Sequence, residues 1–268
     1  YGIDAPTHSD AWLVKTDSAG HMLWNKNYGG SGSDGASSVV QTSDGGYTLA
    51  GYTTSYGAGS RNFWLVKIDS AGSILWNKTY GGADYNVGTS MVQTSDGYAL
   101  AGYTNSSGAG NYDFLLVKTD FAGNMLWNKT YGGASADAAY SVVQTSDGGY
   151  ALAGYTYSFG VGSDVWLVKT DSTGNLLWNK TYGGPYYQSA YSVVQTSDGG
   201  YAIAGYITSG AVYPDAWLVK TDSTGNMLWN KTYGGPNAEI AYSLVQTSDG
   251  GYALAGFTDS YGAGTEDF

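Results

Sequence analysis

The stretch Ala190-Tyr-Ser-Val-Val-Gln-Thr-Ser-Asp-Gly-Gly-Tyr-Ala-Ile-Ala-Gly-Tyr206, continued by Asp215-Ala-Trp-Leu-Val-Lys-Thr-Asp-Ser-Thr-Gly-Asn-Met-Leu-Trp-Asn-Lys-Thr-Tyr-Gly-Gly235, is copied through almost the whole chain. Its first half recurs from Ser37, Thr89, Tyr140 and Tyr242, and its second from Asp10, Asn62, Asp113 and Asp164. One valine marks the period: Val14, Val66, Val117, Val168 and Val219, in steps of 52, 51, 51 and 51. Self-similarity at such a period belongs to solenoids, propellers and arrays.

Each unit holds four short runs with strand character: 191–196, 201–206, 217–221 and 227–233. Small and large residues alternate in the second run, and polar residues enter the third and fourth with period two. No window shows the 3.6-residue period of a helix. Ser197-Asp198-Gly199-Gly200 reads as a hairpin turn between the first two runs, because Asp and Gly tolerate positive φ. The second copy keeps only Asp96-Gly97. Asp222-Ser-Thr-Gly-Asn226 reads as a second hairpin, with a bulge at its glycine.

Four strands in about fifty residues predict a propeller blade. The chain begins with a third-and-fourth pair (10–28) and ends with a first-and-second pair (242–258). The expectation is one all-β domain, 1–268: a five-bladed β-propeller of four-stranded antiparallel blades. The repeats run at about 37–80, 89–131, 140–182 and 191–233, with 242–258 completed by 10–28 into a ring without free interior edges.

The order of a Ser-x-Asp-Gly turn and then an Asp-x-x-Thr-Gly turn resembles the strand phase of WD40-type blades, without their His and Trp-Asp signatures. That resemblance puts the first strand of each unit at the axis and the fourth outermost. Units of the form Gly-Gly-Tyr-Ala-Leu-Ala-Gly-Tyr-Thr and Trp-Leu-Val-Lys-Thr-Asp-x-x-Gly-Asn-x-Leu-Trp-Asn-Lys-Thr-Tyr-Gly-Gly also resemble tandem-repeat surface proteins of archaea and bacteria. This second resemblance implies a secreted or cell-surface propeller and no particular activity.

Composition narrows the classes. A formal charge of −11 argues against nucleic acid, whose phosphates need a basic face. No cysteine means no disulfide framework and no thiolate metal site. No apolar run approaches the ~18 residues of a membrane span. The 42 glycines and 26 tyrosines against four prolines suit short strands and tight turns. Both ends of the sequence fall inside the repeat, so excision from a larger polypeptide or surface assembly is expected.

Comparing the copies separates two kinds of connection. The hairpin turns are nearly invariant. The segments after each Gly-Gly (31–36, 83–88, 134–139, 185–190 and 236–241) and between second and third strands (from 54, 105, 157, 207 and 259) are not. In a meander both variable connections emerge at one end. All ten lysines are repeat positions and ten hairpin aspartates match them. The remaining twelve acids and one base (Arg61) lie in variable segments and termini, which predicts an acidic, diversified loop face.

Candidate sites follow from that face. Asp34, Asn86, Asp137, Gln188 and Glu239 recur four residues after the second glycine, and would circle the mouth of a channel. No cofactor is expected, although such oxygens would suit Ca²⁺. A carboxylate pair from Asp34, Asp137 or Glu239 would suit glycoside hydrolysis. The plainer alternative is a hydrated polar rim. Tyr85, Tyr112, Phe159, Tyr186, Tyr187 and Tyr213 offer aromatic faces for a sugar or a protein, or pack loops together. Asn77, Asn128, Asn179 and Asn230 begin Asn-Lys-Thr, and Asn105 begins Asn-Ser-Ser, which are N-glycosylation acceptors in a secreted chain. His8 and His21 are too far apart in the pattern to build a triad or metal site. The expected function is a non-catalytic extracellular or cell-surface binding or scaffold domain, serving adhesion, surface assembly or protein recognition. Its partner would be a cell-surface protein or glycan. A lectin-like propeller is the alternative, and a glycosidase the remote one.

Overall fold

The computed structural model describes residues 8–208, 210 and 213–262. They are all-β, with no helix among them. The N-terminal hairpin β1 (Ala11–Thr16) and β2 (Met22–Tyr28) forms a two-stranded sheet. Four-stranded sheets follow: β3 (Asp34–Gln41), β4 (Tyr47–Thr53), β5 (Asn62–Ile68), β6 (Ile74–Tyr80); β7 (Asn86–Thr94), β8 (Gly97–Thr104), β9 (Asp113–Thr119), β10 (Met125–Tyr131); β11 (Asp137–Gln144), β12 (Tyr150–Thr156), β13 (Asp164–Thr170), β14 (Leu176–Tyr182); and β15 (Gln188–Gln195), β16 (Tyr201–Ile207), β17 (Asp215–Thr221), β18 (Met227–Tyr233). β19 (Glu239–Gln246) and β20 (Tyr252–Thr258) form a second two-stranded sheet. Neighbours in each sheet are consecutive in sequence, so every sheet is a meander, the architecture of a propeller blade.

The four runs read from the repeat are these strands, with the first starting three residues earlier at Gln188. The register slips at the third-to-fourth turn, between Lys220 and Thr221, as the bulge reading requires. It also slips inside the first strand, between Ala190 and Ser192, which alternation did not foretell. The first hairpin is built differently from the expectation. In this turn only Gly199 takes positive φ (82°), and among the described residues no non-glycine residue does. Asp198 instead caps the turn, accepting from Thr196 Oγ1 at 2.5 Å and Gly200 N at 3.0 Å.

The residues divide into two compact units, Tyr1–Ser107 with Val117–Trp127, and Gly108–Leu116 with Asn128–Phe268. In the first, Ala11 and Tyr28 of the N-terminal hairpin pack on Leu49, Trp64, Val66 and Ile68. In the second, Val165, Leu167 and Tyr182 pack on Val193, Tyr201, Ile203, Trp217 and Val219, and Ala202, Ala204 and Leu218 on Ala241 and Leu244. Trp64, Trp166 and Trp217 are 2–4 % exposed, so sheet-to-sheet packing accounts for them; each contributes up to ~5 kcal/mol if ~200 Å² is removed from water.

No ladder joins β20 to β1 among the described residues. Among the described residues the two end hairpins are separate two-stranded sheets, so the count of five blades is not shown. Each end hairpin packs on its neighbouring sheet, β1–β2 on β4 and β5 and β19–β20 on β16 and β17.

Candidate functional site

The variable segments emerge together at one end of each sheet and are bonded to one another. Ser33 N donates to Thr54 Oγ1 at 2.6 Å, Tyr187 N to Thr208 Oγ1 at 2.9 Å, and Asn237 N to Ser260 Oγ at 2.9 Å. The loop after the second strand also runs beside the next first strand. Arg61 bridges Tyr85 in parallel, and Ser163 bridges Tyr187. The invariant turns lie at the other end, where Lys67, Lys118, Lys169 and Lys220 pair with Asp44, Asp96, Asp147 and Asp198 at 2.7–2.9 Å.

The five polar residues expected at a channel mouth are placed otherwise. Asp34, Asn86, Asp137, Gln188 and Glu239 open their strands and are all buried. Asp137 accepts from Thr156 Oγ1, from Ser158 Oγ at 2.7 Å and from Gly133 N at 2.9 Å. Asp34 repeats this with Thr53, Ser55 and Gly30, and Glu239 with Thr258 and Gly235, both at 2.8 Å. Asn86 accepts from Thr104 and donates to the Gly82 and Asp84 carbonyls. Gln188 accepts from Gly184 N at 3.3 Å. Each is a latch tying the Gly-Gly loop to the neighbouring Ser/Thr loop. Burial pushes the Glu239 carboxyl up, but bonds from Ser260, Gly235 and Thr258 outweigh it and hold the group below its usual range.

A second row was not singled out from sequence: Asn62, Asp113, Asp164 and Asp215, which open the third strands of the four complete sheets. Asp113 accepts from Ala109 N at 2.8 Å and Asp164 from Val161 N at 3.0 Å, closing the variable loop. A Cβ on Gly132 would lie 1.7 Å from Asp113 Oδ1 and 2.9 Å from Asp137 Oδ2, so these oxygens are at most the sum of those distances apart. Asp113 Oδ1 has no hydrogen-bond partner. Burial, with the Asp137 charge adding to it, raises the Asp113 pKa; burial raises that of Asp164. The equivalent pair in the second repeat is uncharged, Asn62 and Asn86. The signal was the invariant Asx at these positions.

This changes the electrostatic picture. Of the twelve acids assigned to the loop face, Asp34, Asp113, Asp137, Asp164 and Glu239 are buried at the bases of the loops. Ca²⁺ fits them poorly, because their oxygens are already engaged by Ser, Thr and backbone donors. Among the described residues no group of three or more His, Asp or Glu is placed to hold a metal ion.

The aromatic candidates separate. Tyr85 is half-buried, stacked on Tyr103 with centroids 6.4 Å apart, and covered by the Arg61 guanidinium, 4.6 Å from its centroid. Arg61 also lies 4.1 Å over Tyr52. Tyr112 is half-buried, and Phe159 leans on Trp166 with centroids 5.2 Å apart while remaining 40 % exposed. Tyr186, Tyr187 and Tyr213 stay 45, 58 and 49 % exposed. They belong to the two variable segments of one repeat. The Tyr186 ring lies against Gly210, where a Cβ would meet its hydroxyl at 2.7 Å. Tyr187 is fixed by Thr208, whose backbone N donates to its carbonyl at 2.9 Å. A cleft of about 360 Å³ lined by Val161, Asp164, Gly184 and Pro185 opens at the same end.

Sequence reading also missed a tyrosine column. Tyr140, Tyr191 and Tyr242 sit at the first-strand register slip, with successive centroids 5.1 and 5.0 Å apart. Tyr155, Tyr206 and Phe257 back them from the second strands. Burial raises the Tyr191 pKa to about 12. The first two repeats carry Ser37 and Thr89 there, which was the available clue.

The sequon residues Asn77, Asn105, Asn128, Asn179 and Asn230 are all exposed. Asn179 and Asn230 accept from the indoles of Trp166 and Trp217 at 3.2 and 3.1 Å.

The fold and site define a class: an all-β chain of repeated four-stranded antiparallel sheets, with loops diversified at one end. No protein-family model matches it, and no curated protein is significantly similar in sequence. Among solved structures, a protein of unknown function from Bacteroides caccae is similar at TM-score 0.53 and 14 % identity, over 93 % of this chain and 84 % of that one. The Neurospora crassa Pan2 WD40 domain matches at TM-score 0.40 and 11 % identity, over 82 % and 85 %. A bifunctional GH43-CE protein of Bacteroides eggerthii matches at 0.40 and 16 %, over 77 % of this chain and 27 % of that one. The first shows a shared fold; the other two scores are too low to argue from. No helix among the described residues is long and apolar enough to cross a membrane.

Proposed function

We propose that the chain is a non-catalytic, extracellular or cell-surface β-propeller that binds a surface protein or glycan through its variable loops. The observation that carries this is the exposed trio Tyr186, Tyr187 and Tyr213, of which Tyr187 is bonded through its backbone to Thr208 and Tyr186 lies against Gly210. Aromatic rings anchored this way give contact area at low entropic cost. A carbohydrate ligand is the sharper version, because ring faces beside backbone amides suit sugar stacking. Hydrolysis of glycosides is not favoured: Asp34, Asp137 and Glu239 are buried latches in different sheets. The exposed sequons fit an exported chain. The five-blade count is part of this reading. β19–β20 supplies first and second strands, β1–β2 supplies third and fourth, and together they contain the parts of one blade.

A glycan array probed with the purified chain, with and without Ca²⁺, tests the reading. Saturable binding that Tyr186→Ala and Tyr187→Ala abolish, with thermal stability unchanged, is the expected result. Binding untouched by both substitutions would move the site away from these loops.

A further inference from the structure

One cation at the loop end is held by rings of the chain itself. The Arg61 guanidinium lies 4.1 Å from the Tyr52 centroid and 4.6 Å from that of Tyr85. Tyr52 belongs to β4, Arg61 precedes β5 and Tyr85 precedes β7, so the sandwich is built from two successive sheets. Arg61 is the sole arginine of the sequence. A guanidinium suits such a place, because ring faces attract a cation and the planar, weakly hydrated group stacks on them. Tyr85 is half-buried beneath it.

The same frame recurs two repeats later around Ser163. Arg61 bridges Tyr85 in parallel, and Ser163 bridges Tyr187 in the same way. Asn86 N donates to the Arg61 carbonyl at 2.9 Å, and Gln188 N to the Ser163 carbonyl at 2.7 Å. Asn105 N donates to the Tyr85 carbonyl at 3.0 Å, and Thr208 N to the Tyr187 carbonyl at 2.9 Å. Tyr52 lies opposite Phe63 and Tyr155 opposite Val165, each the second residue of its third strand. Tyr155, Ser163 and Tyr187 thus occupy the backbone positions of Tyr52, Arg61 and Tyr85.

What differs is the cation. The Ser163 side chain is buried and turned back on the strand, its Oγ donating to the Gln188 carbonyl at 3.0 Å. Tyr187 is correspondingly 58 % exposed, where Tyr85 is half-buried under the guanidinium. Tyr157 replaces Thr54 of the earlier repeat and stands edge-on to Tyr155, with centroids 5.5 Å apart at 77°. It is 45 % exposed, so a third ring adjoins the pair. The charge beside the frame changes as well. Arg61 is followed by the neutral Asn62, and Ser163 by the buried Asp164, which lines the cleft of about 360 Å³. The frame that supplies its own cation has an amide next to it, and the frame that lacks one has a carboxyl.

We infer that Tyr155, Tyr157 and Tyr187 form a receptor for a guanidinium group, in which an arginine side chain of a protein partner takes the position that Arg61 takes in the earlier repeat. The inference rests on the loop-binding reading and narrows it, since Tyr187 belongs to both, and it selects a basic protein surface over a glycan. Three observations converge on that occupant. The chain's own copy of the frame is filled by arginine. The receptor's copy has a carboxyl where the filled one has an amide. The chain carries a formal charge of −11, which steers a basic partner toward it. A lysine ammonium is a strongly hydrated point charge and fits two ring faces less well than the flat guanidinium does.

Tyrosine ring NMR signals, followed while the chain is titrated with acetyl-Gly-Gly-Arg-Gly-Gly-amide, test this. The same peptide with citrulline in place of arginine keeps the shape and removes the charge. The expected result is saturable shifts of Tyr155, Tyr157 and Tyr187, with the arginine peptide bound about tenfold more tightly than the citrulline peptide. Ser163→Arg should fill the receptor from within, moving those signals without peptide and abolishing the titration. Tyr187→Ala, at an exposed ring, should weaken binding about fivefold and serves if Ser163→Arg fails to fold. Arg61→Ser should open a second receptor and add saturable shifts at Tyr52 and Tyr85. Equal affinity for the two peptides, or binding that survives Ser163→Arg in a folded chain, overturns the inference. Free arginine amide bound more tightly than the peptide overturns the protein partner in favour of a small guanidinium ligand. If the arginine peptide fails while a glycan binds the parent and Ser163→Arg chains alike, only this inference falls. If neither binds, the loop-binding reading falls with it.

Discussion

In the sheet β11–β14, the turn carboxylate of Asp147 is 57 % exposed, with the Lys169 ammonium 2.8 Å away. At the loop end, Asp113 is 1 % exposed, lacks a partner for Oδ1, and faces the Asp137 carboxylate across Gly132. The first charge is neutralised in a shape repeated in every complete sheet. The second is buried against a like charge, in a position where another repeat uses asparagine. Invariance therefore marks a turn whose backbone demands particular residues. Variation marks a base where several polar residues latch the loops equally well, leaving the loop tips free to differ.

Glycine substitutions should break this comparison most sharply. A Cβ on Gly183 would lie 1.9 Å from Asp164 Oδ1 and 2.5 Å from Gln188 Oε1, both in buried side chains. Gly183→Ala should cost about 2–3 kcal/mol by overpacking. At the turn end, Gly199 has φ 82° and open space around a Cβ, so Gly199→Ala should cost about 1–2 kcal/mol through backbone strain alone. Gly184→Ala meets nothing within 4 Å, and its effect should stay within about 0.5 kcal/mol. Urea unfolding of the three variants gives the order. A Gly184→Ala loss as large as that of Gly183→Ala would show that the latch is not what makes the first glycine special.

Charge sharpens the comparison next. Asp113→Asn should stabilise the chain by about 1 kcal/mol at pH 7, since an amide can donate to Asp137 where a carboxylate leaves an unpaired acceptor. The folded pKa of Asp113 is raised by burial and by Asp137. Its penalty is therefore present only where the folded state holds it ionised, and fades as pH falls through the folded pKa. Melting curves of the variant and the parent should converge in mild acid. A gain that persists unchanged in acid would rule out charge burial as its cause.

Much of this was legible in the sequence and some was not, for physical reasons. The strands were legible because Trp217, Leu218 and Val219 or Tyr201, Ala202 and Ile203 recur with the turns that bound them. The third-to-fourth bulge was legible because Gly225 has only one sterically easy use there. The tyrosine column was not: strict alternation puts Tyr191 on a definite face, and the slip between Ala190 and Ser192 re-aims it. The fate of the polar row was also hidden. Asp137 four residues after a glycine pair reads equally as a rim ligand or a latch, and only the arrival of Thr156 and Ser158 from another strand decides between them. The exposed trio was legible only as aromatic residues in variable segments; Arg61 over Tyr85 withdrew that ring from the set, while Phe159 stays exposed with one side against Trp166.

The smallest effect should come from the turn end and carry the opposite pH sign. Burial alone would raise the Asp147 pKa, but bonds from Lys169, Thr145 and Gly149 outweigh it and lower the group to about 2. A carboxyl whose folded pKa is depressed stabilises above its unfolded pKa and loses that contribution as pH falls through the folded one. Asp147→Asn should therefore cost less than about 1 kcal/mol at neutral pH, because the carboxylate is exposed and screened. The cost should vanish between about pH 4 and pH 2. Asp113→Asn and Asp147→Asn thus move stability in opposite directions at neutral pH, and both differences close in acid. If Asp147→Asn proved the costlier change, the turn carboxylates would be holding the sheets together, and the loop bases could not be read as the strained end.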